Sequence, residues 1–183
     1  MQKNSTSDHK QTVLGTIQRG LCGYLSYLNA CHMQEAFNEY ILCEPMLRIL
    51  TSLGYNVECE ARCPGLKKSR GTRRKRIDFV ARKRNDKIAI ELKVRWEYKK
   101  GLSVEDEVEK LDAFLQKVKH SRSYLCVVGP KSKIKHLRAS QILPSARFTE
   151  VGWNGNAAYA NLPKSCYGCR IYELSGGPAV PEP

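Results

Sequence analysis

The sequence predicts a single α/β domain, and three observations point to it. A helical apolar stripe is followed by three β-rich runs, then by a second helical stripe and another short apolar run. The 183 residues are 42% hydrophobic, enough for one well-filled core. No stretch reaches the roughly eighteen apolar residues that a membrane span needs. No membrane partner is therefore expected, and polar first residues without an apolar signal core point to the cytoplasm.

The elements follow in order. Thr12 to Ala30 places Val13, Leu14, Ile17, Leu21, Tyr24, Leu25 and Leu28 on one helical face, interrupted but not abolished by Gly15, Gly20 and Gly23. This predicts a helix packed on the core, and the same stripe is a candidate contact for a second copy of the chain or another protein. Glu35 to Leu53 repeats the pattern with Leu42, Met46, Ile49, Leu50 and Leu53, and Gly54 stands where a helix stop is favoured. Tyr55 to Cys63 reads as a strand. Ile77 to Arg95 reads as two antiparallel strands around a polar turn expected over Asn85 and Asp86. Ser103 to His120 is a second helix, opened by Ser103 with Asp106 three residues on, its stripe being Val104, Val108, Leu111, Leu115 and Val118. Tyr124 to Val128 is a short buried strand closed by Gly129 and Pro130. Ser132 to Ser140 predicts a short basic helix, and Arg147 to Trp153 and Tyr167 to Leu174 predict added strands. Residues 1–10 are expected to be flexible, 11–174 to form the domain, and 175–183 to be a disordered tail rich in Gly and Pro.

The hairpin carries the chemistry. Strand side chains alternate, so Glu91 and Lys93 share one face while Ile90, Leu92 and Val94 share the other. Asp78, near the start of its strand, would lie opposite the end of the next. Two carboxylates suit a hard cation such as Mg²⁺, with Mn²⁺ as an alternative, whose shell is completed by water and phosphate oxygens. A bound metal polarises a phosphoryl oxygen and activates water, and an ammonium beside it offsets negative charge. Asp78 and Glu91 are the candidate metal ligands and Lys93 the candidate ammonium; the same spacing also fits an edge hairpin with ordinary solvated charges.

At these residues the chain resembles the PD-(D/E)xK, restriction-endonuclease-like nucleases, whose motif is an Asp at a strand start and a Glu-x-Lys on the following strand. Ile77 stands where the family's name puts proline. The resemblance spans roughly Ala36 to Val128 and implies an αβββαβ core, over about 33–128, with a mixed central sheet flanked by helices. It also implies a metal-dependent endo- or exodeoxyribonuclease. The family's helix carboxylate is then expected at Glu39, placed three residues before Leu42 and so on the inward face; Glu44 is the rival. In that reading Glu39, Asp78, Glu91 and Lys93 are the catalytic set.

Charge supplies a separate reason for a polyanionic partner. The net charge is +13, and Arg62 to Lys100 alone holds sixteen Lys and Arg against Asp78, Asp86, Glu91 and Glu97. Within it, Lys67, Lys68, Arg70, Arg73, Arg74, Lys75 and Arg76 lead straight into Asp78, and Arg95 follows the motif. Such clusters bind phosphate backbones with salt-dependent affinity, so nucleic acid, DNA by the family's habit, is the expected partner. A catalytically inactive nucleic-acid-binding protein and a basic protein-interaction module remain the alternatives. Of the eight cysteines, Cys166 and Cys169 have the spacing of half a zinc site, which Cys59 and Cys63 would complete only if the last strand lay beside the first. Structural Zn²⁺ is therefore not expected, and the thiols are read as reduced.

Overall fold

The computed structural model describes residues 5–66, 75–95, 104–142, 148–154 and 166–175. The basic residues Lys67, Lys68, Arg70, Arg73 and Arg74, the cap residue Ser103 and the tail from 176 onward lie outside them. The chain folds as helix α1 (Ser5–Ala30), helix α2 (Glu39–Ser52), strands β1 (Asn56–Arg62), β2 (Arg76–Lys83) and β3 (Asp86–Val94), helix α3 (Glu105–Lys117) and strand β4 (Ser121–Pro130). The short helices α4 (Lys131–Ile134) and α5 (Ala139–Ile142) follow, then strands β5 (Phe148–Asn154) and β6 (Tyr167–Leu174). No helix among the described residues is long and apolar enough to cross a membrane.

The strands make one mixed sheet in the order β1-β2-β3-β4-β6-β5. Among the described strands only β3 and β4 pair in parallel; the other neighbours are antiparallel. A parallel pair needs a long crossover, and α3 supplies it. Helices cover both faces. On one, α1 and α2 pack on Phe79, Ile88, Ile90, Leu92, Tyr124 and Cys126. On the other, α3, α4 and α5 pack on Ile77, Val80, Ala89, Leu125, Val127 and Tyr172. The central β4 is accordingly buried along nearly its whole length, while the edge strand β1 is mostly exposed and carries Glu58, Glu60 and Arg62, charges that discourage pairing with another chain.

Local chemistry explains where the elements depart from the sequence reading. Helix α2 starts at Glu39, not Glu35, because the Asn38 side chain accepts the Ile41 N–H at 3.0 Å and caps the first turn. A 3-10 turn, Gln34–Ala36, precedes it, and Phe37 is extended and packs edge-on against Tyr167. Leu42, Met46 and Leu50 are fully buried, each contributing on the order of 1.5–3 kcal/mol. Helix α3 starts at Glu105, with Val104 at the cap position, and the Glu105 carboxylate accepts the Val104 N–H at 2.9 Å. Asp106, expected to close a capping box, instead binds Lys75. The basic helix expected over Ser132 to Ser140 is replaced by the two short helices α4 and α5.

The N-terminal stripe is spent within the chain. Helix α1 begins at Ser5, inside the segment expected to be flexible, and Val13, Leu14, Ile17, Leu21, Leu25 and Leu28 are buried against the sheet and α2. The two helices approach closely enough that a methyl group at Gly20 would stand 2.4 Å from Ile49 Cδ1. The apolar face that suggested a partner is thus covered by the chain's own core.

Candidate active site

The hairpin of β2 and β3 forms as read, but its turn lies one residue earlier. Lys83 pairs with Asp86, leaving Arg84 and Asn85 as the turn, with Arg84 at φ 52°. Asp86 is drawn into the strand by two partners, the Tyr55 hydroxyl and the Arg122 guanidinium.

At the other end of the hairpin the backbone ladder closes with Phe79 opposite Ile90; one further step of that register faces Asp78 with Glu91. The Asp78 carboxylate itself accepts the Leu92 N–H there, at 2.8 Å from Oδ2. Strand β1 keeps a single register past Asp78, pairing Cys59 with Phe79 and Ala61 with Ile77, but Glu60 between them, which that register sets opposite Asp78, is left out of the ladder and adopts φ 51°. A left-handed glutamate inside a strand is strained backbone, of the kind that gathers at functional sites.

Glu91 points toward α3 and is only 1% exposed. Its Oε2 lies 2.7 Å from Lys110 Nζ, and its Oε1 has no hydrogen-bond partner among the described residues. Burial, then the Asp78 charge, push its carboxyl up from 4.5 to about 8, against the pull of Lys110. Lys93 sits on the same face, 2.9 Å from Glu107 Oε1 and 3.7 Å from Glu39 Oε1. Burial lowers its ammonium pKa, but the Glu107, Glu39 and Asp78 carboxylates outweigh this and hold it above the usual lysine value.

Glu39 arrives from the opposite layer. It lies in the first turn of α2, where its Oε1 accepts the Val94 N–H at 3.4 Å. It is not on the inward face as the sequence suggested: its side chain is 46% exposed, because the first turn of α2 reaches the sheet end and not its centre. The rival Glu44 is turned away and pairs with Arg48 on the same helix. One turn after Glu39, the Cys43 thiol is pushed up by burial and then by the Asp78 charge, which places Asp78 near α2 as well.

Asp78, Glu91, Lys93 and Glu39 therefore converge at the carboxyl end of β3, beside its parallel neighbour, where open α/β sheets commonly bind ligands. Glu107 and Lys110 join them. Both were missed in the sequence, where their i,i+3 spacing on an amphipathic helix reads as a solvated face. Their only signal was position: the helix linking two parallel strands must lie over the first of them.

The donor set bears on a metal. Among the described residues no group of three or more His, Cys, Asp or Glu side chains is placed to hold one. Mg²⁺, however, commonly uses one or two carboxylates, with water and phosphate completing its shell. A buried carboxylate oxygen without a partner is costly unless a cation or donor meets it, so Glu91 and the adjacent Asp78 fit such an ion.

The basic residues divide. Lys75 is held by Asp106, at 2.8 Å, and by Glu109, and Arg76 donates to the Glu60 carbonyl at 2.9 Å. Arg95 anchors its backbone by donating N–H to the Val128 carbonyl at 2.8 Å, while its side-chain Nε is buried without a partner among the described residues. The cysteine pairs do not meet. β6, which begins just after Cys166, is separated from β1 by three strands, and the Cys169 thiol instead lies buried 3.4 Å from that of Cys126.

Stability should report Glu91 directly. Its folded pKa is raised, so between about 4.5 and 8 the folded state holds a proton that the unfolded chain has released, and stability falls as pH rises through that window. In chelator-treated protein, denaturant titrations at pH 5 and pH 8 are expected to show a decline of roughly 2–4 kcal/mol, at about 1.4 kcal/mol per pKa unit. Glu91→Gln should flatten it; an equal decline in that variant would assign the effect elsewhere.

No protein-family model, curated protein or solved structure matches this chain.

Proposed function

We propose that the chain is a metal-dependent phosphodiesterase of the restriction-endonuclease-like type that hydrolyses nucleic acid, DNA by the habit of that family. The observation that carries this reading is the convergence of Asp78, Glu91, Lys93 and Glu39 at one strand end, with the Glu91 Oε1 buried and without a partner. Asp78 and Glu91 would hold Mg²⁺ or Mn²⁺. When bound, such an ion polarises a phosphoryl oxygen and makes coordinated water more acidic.

The protein groups divide the remaining work. Lys93 keeps its proton, so it does not serve as the base; it orients the attacking water and offsets the charge that builds on the phosphoryl group. Glu107 holds that ammonium in place from α3. Glu39, half-exposed at the mouth of the site, is placed to accept a hydrogen bond from water. The unpartnered Arg95 Nε is a donor suited to a phosphate oxygen. The positive charge of the run 67–74 would add salt-dependent affinity for the phosphate backbone.

Wild-type protein is expected to cleave DNA only with Mg²⁺ or Mn²⁺. Lys93→Ala should cleave on the order of a hundredfold more slowly while binding DNA as before at low salt. Equal cleavage by both proteins, after contaminating nucleases are removed, would overturn the reading. The binding-only alternative draws on the lysines already seated on these carboxylates; salt-sensitive DNA binding without any Mg²⁺ affinity would favour it.

A further inference from the structure

Glu91 is a carboxylate in the core layer between β3 and α3, and the cation nearest to it belongs to the protein. Lys110 comes from the middle of α3, its side chain is 12% exposed, and its ammonium is 2.7 Å from Oε2. Lys93, the other lysine of the site, is engaged elsewhere, by Glu107 and Glu39. Burying a carboxyl group this deep, with Asp78 beside it, is costly unless a cation meets it.

We propose that Lys110 is a tethered cation that holds the metal position on Glu91, and that a divalent ion loads by displacing its ammonium. This rests on the metal-binding reading of Asp78 and Glu91 and adds a role for a residue outside that motif. Two features support it. One oxygen of Glu91 is held by Lys110 while the other is buried and open, so the carboxylate is only half satisfied by the ammonium. An ammonium and a divalent ion on one carboxylate repel strongly where solvent is excluded, so both cannot stay. The displaced ammonium can swing one turn back on its own helix to the exposed Asp106, which stands in the favourable acid-before-lysine spacing and would share its carboxylate between Lys110 and its present partner Lys75. Lys110 thereby keeps Glu91 compatible with the fold before loading and weakens affinity for the ion.

Two measurements test this without reference to turnover. Free Mn²⁺, counted by electron paramagnetic resonance in mixtures with full-length protein, should show Lys110→Met binding the ion about tenfold more tightly than wild type, a difference of about 1.4 kcal/mol. Because that variant leaves Glu91 without its partner and can lose stability, the second measurement uses wild type alone. Acetylation of Lys110 by an amine-reactive ester, read by peptide mass spectrometry, should rise several-fold when Mg²⁺ is added. Mn²⁺ bound by wild type with Lys110 labelling unchanged at saturation would overturn the role of Lys110 and leave the proposed function standing. Equal or weaker Mn²⁺ binding by a folded Lys110→Met would do the same. Mn²⁺ ignored by both proteins would overturn the inference together with the metal reading beneath it.

Discussion

Asp78→Ala is expected both to melt earlier than wild type and to cut no DNA, whereas Asp78→Asn is expected to fold normally and still cut none. The two variants separate two jobs that one carboxylate performs. Its Oδ2 accepts the Leu92 N–H where the β2–β3 ladder stops, so the side chain replaces a missing backbone partner. Alanine leaves that donor unsatisfied, at a cost of about 1–3 kcal/mol. For a chain of 183 residues this lowers the melting temperature by roughly 2–4 °C per kcal/mol. Asparagine keeps an acceptor oxygen in the same place and should stay within about 1 kcal/mol of wild type. It lacks the negative charge that a divalent ion needs, so cleavage should fall on the order of a thousandfold in both variants. Calorimetry and a Mg²⁺-dependent cleavage assay on the same preparations check the pair. Near-wild-type cleavage by Asp78→Asn would remove Asp78 from the catalytic set.

What the sequence made legible followed from period and spacing. The apolar stripe of Leu42, Met46 and Leu50 states which helix face is buried, and the core obeys it; the alternation on β3 sets Glu91 on the face opposite Ile90 and Leu92, but helices cover both faces and Glu91 is as buried as they are. Boundaries were harder, because they depend on single bonds that compete locally: Asn38 captures the Ile41 N–H and starts α2 late, and Asp86 joins Tyr55 and Arg122 and leaves the turn. Glu39 was singled out for burial and is found beside Lys93 for a different reason, its place in a first turn that reaches the sheet end.

The residues that escaped notice share a cause. Glu107 and Lys110 look like any charged pair on an amphipathic helix, and nothing within α3 distinguishes them from Glu105 or Glu109. Their partners lie 14 and 19 positions earlier in the chain, at Lys93 and Glu91, brought near only when β3 and β4 align in parallel and α3 folds across. Charge patterning reads pairs one helical turn apart; it does not read pairs made by a crossover. The converse holds for Lys75: its sequence neighbours suggest a phosphate contact, yet the same crossover gives it Asp106 and Glu109 as partners.

Gly129→Ala is expected to damage the site from outside it. Gly129 looked in the sequence like the residue that ends a strand, but β4 runs on to Pro130 and pairs Gly129 with Gly168. A methyl group there would stand 2.3 Å from the Arg95 carbonyl oxygen and 3.2 Å from its carbon. These are backbone atoms, so no rotamer change relieves the clash and the end of β3 must move. The bond from Arg95 N–H to the Val128 carbonyl pins that end to β4 and is the first to be strained. Overpacking of this kind costs about 1–3 kcal/mol, and the lost bond adds roughly another 1 kcal/mol. Together they lower the melting temperature by about 4–16 °C. Lys93 lies two residues before Arg95 on the strand that shifts, and a displacement near 1 Å at a reacting group costs on the order of a hundredfold in rate. Gly129→Ala should therefore cleave DNA far more slowly than wild type well below its melting temperature, although it alters no charged group. A variant that melts and cuts like wild type would mean that the approach of Arg95 to β4 is looser than the fold requires, and that Lys93 is held in place by Glu107 and Glu39 alone.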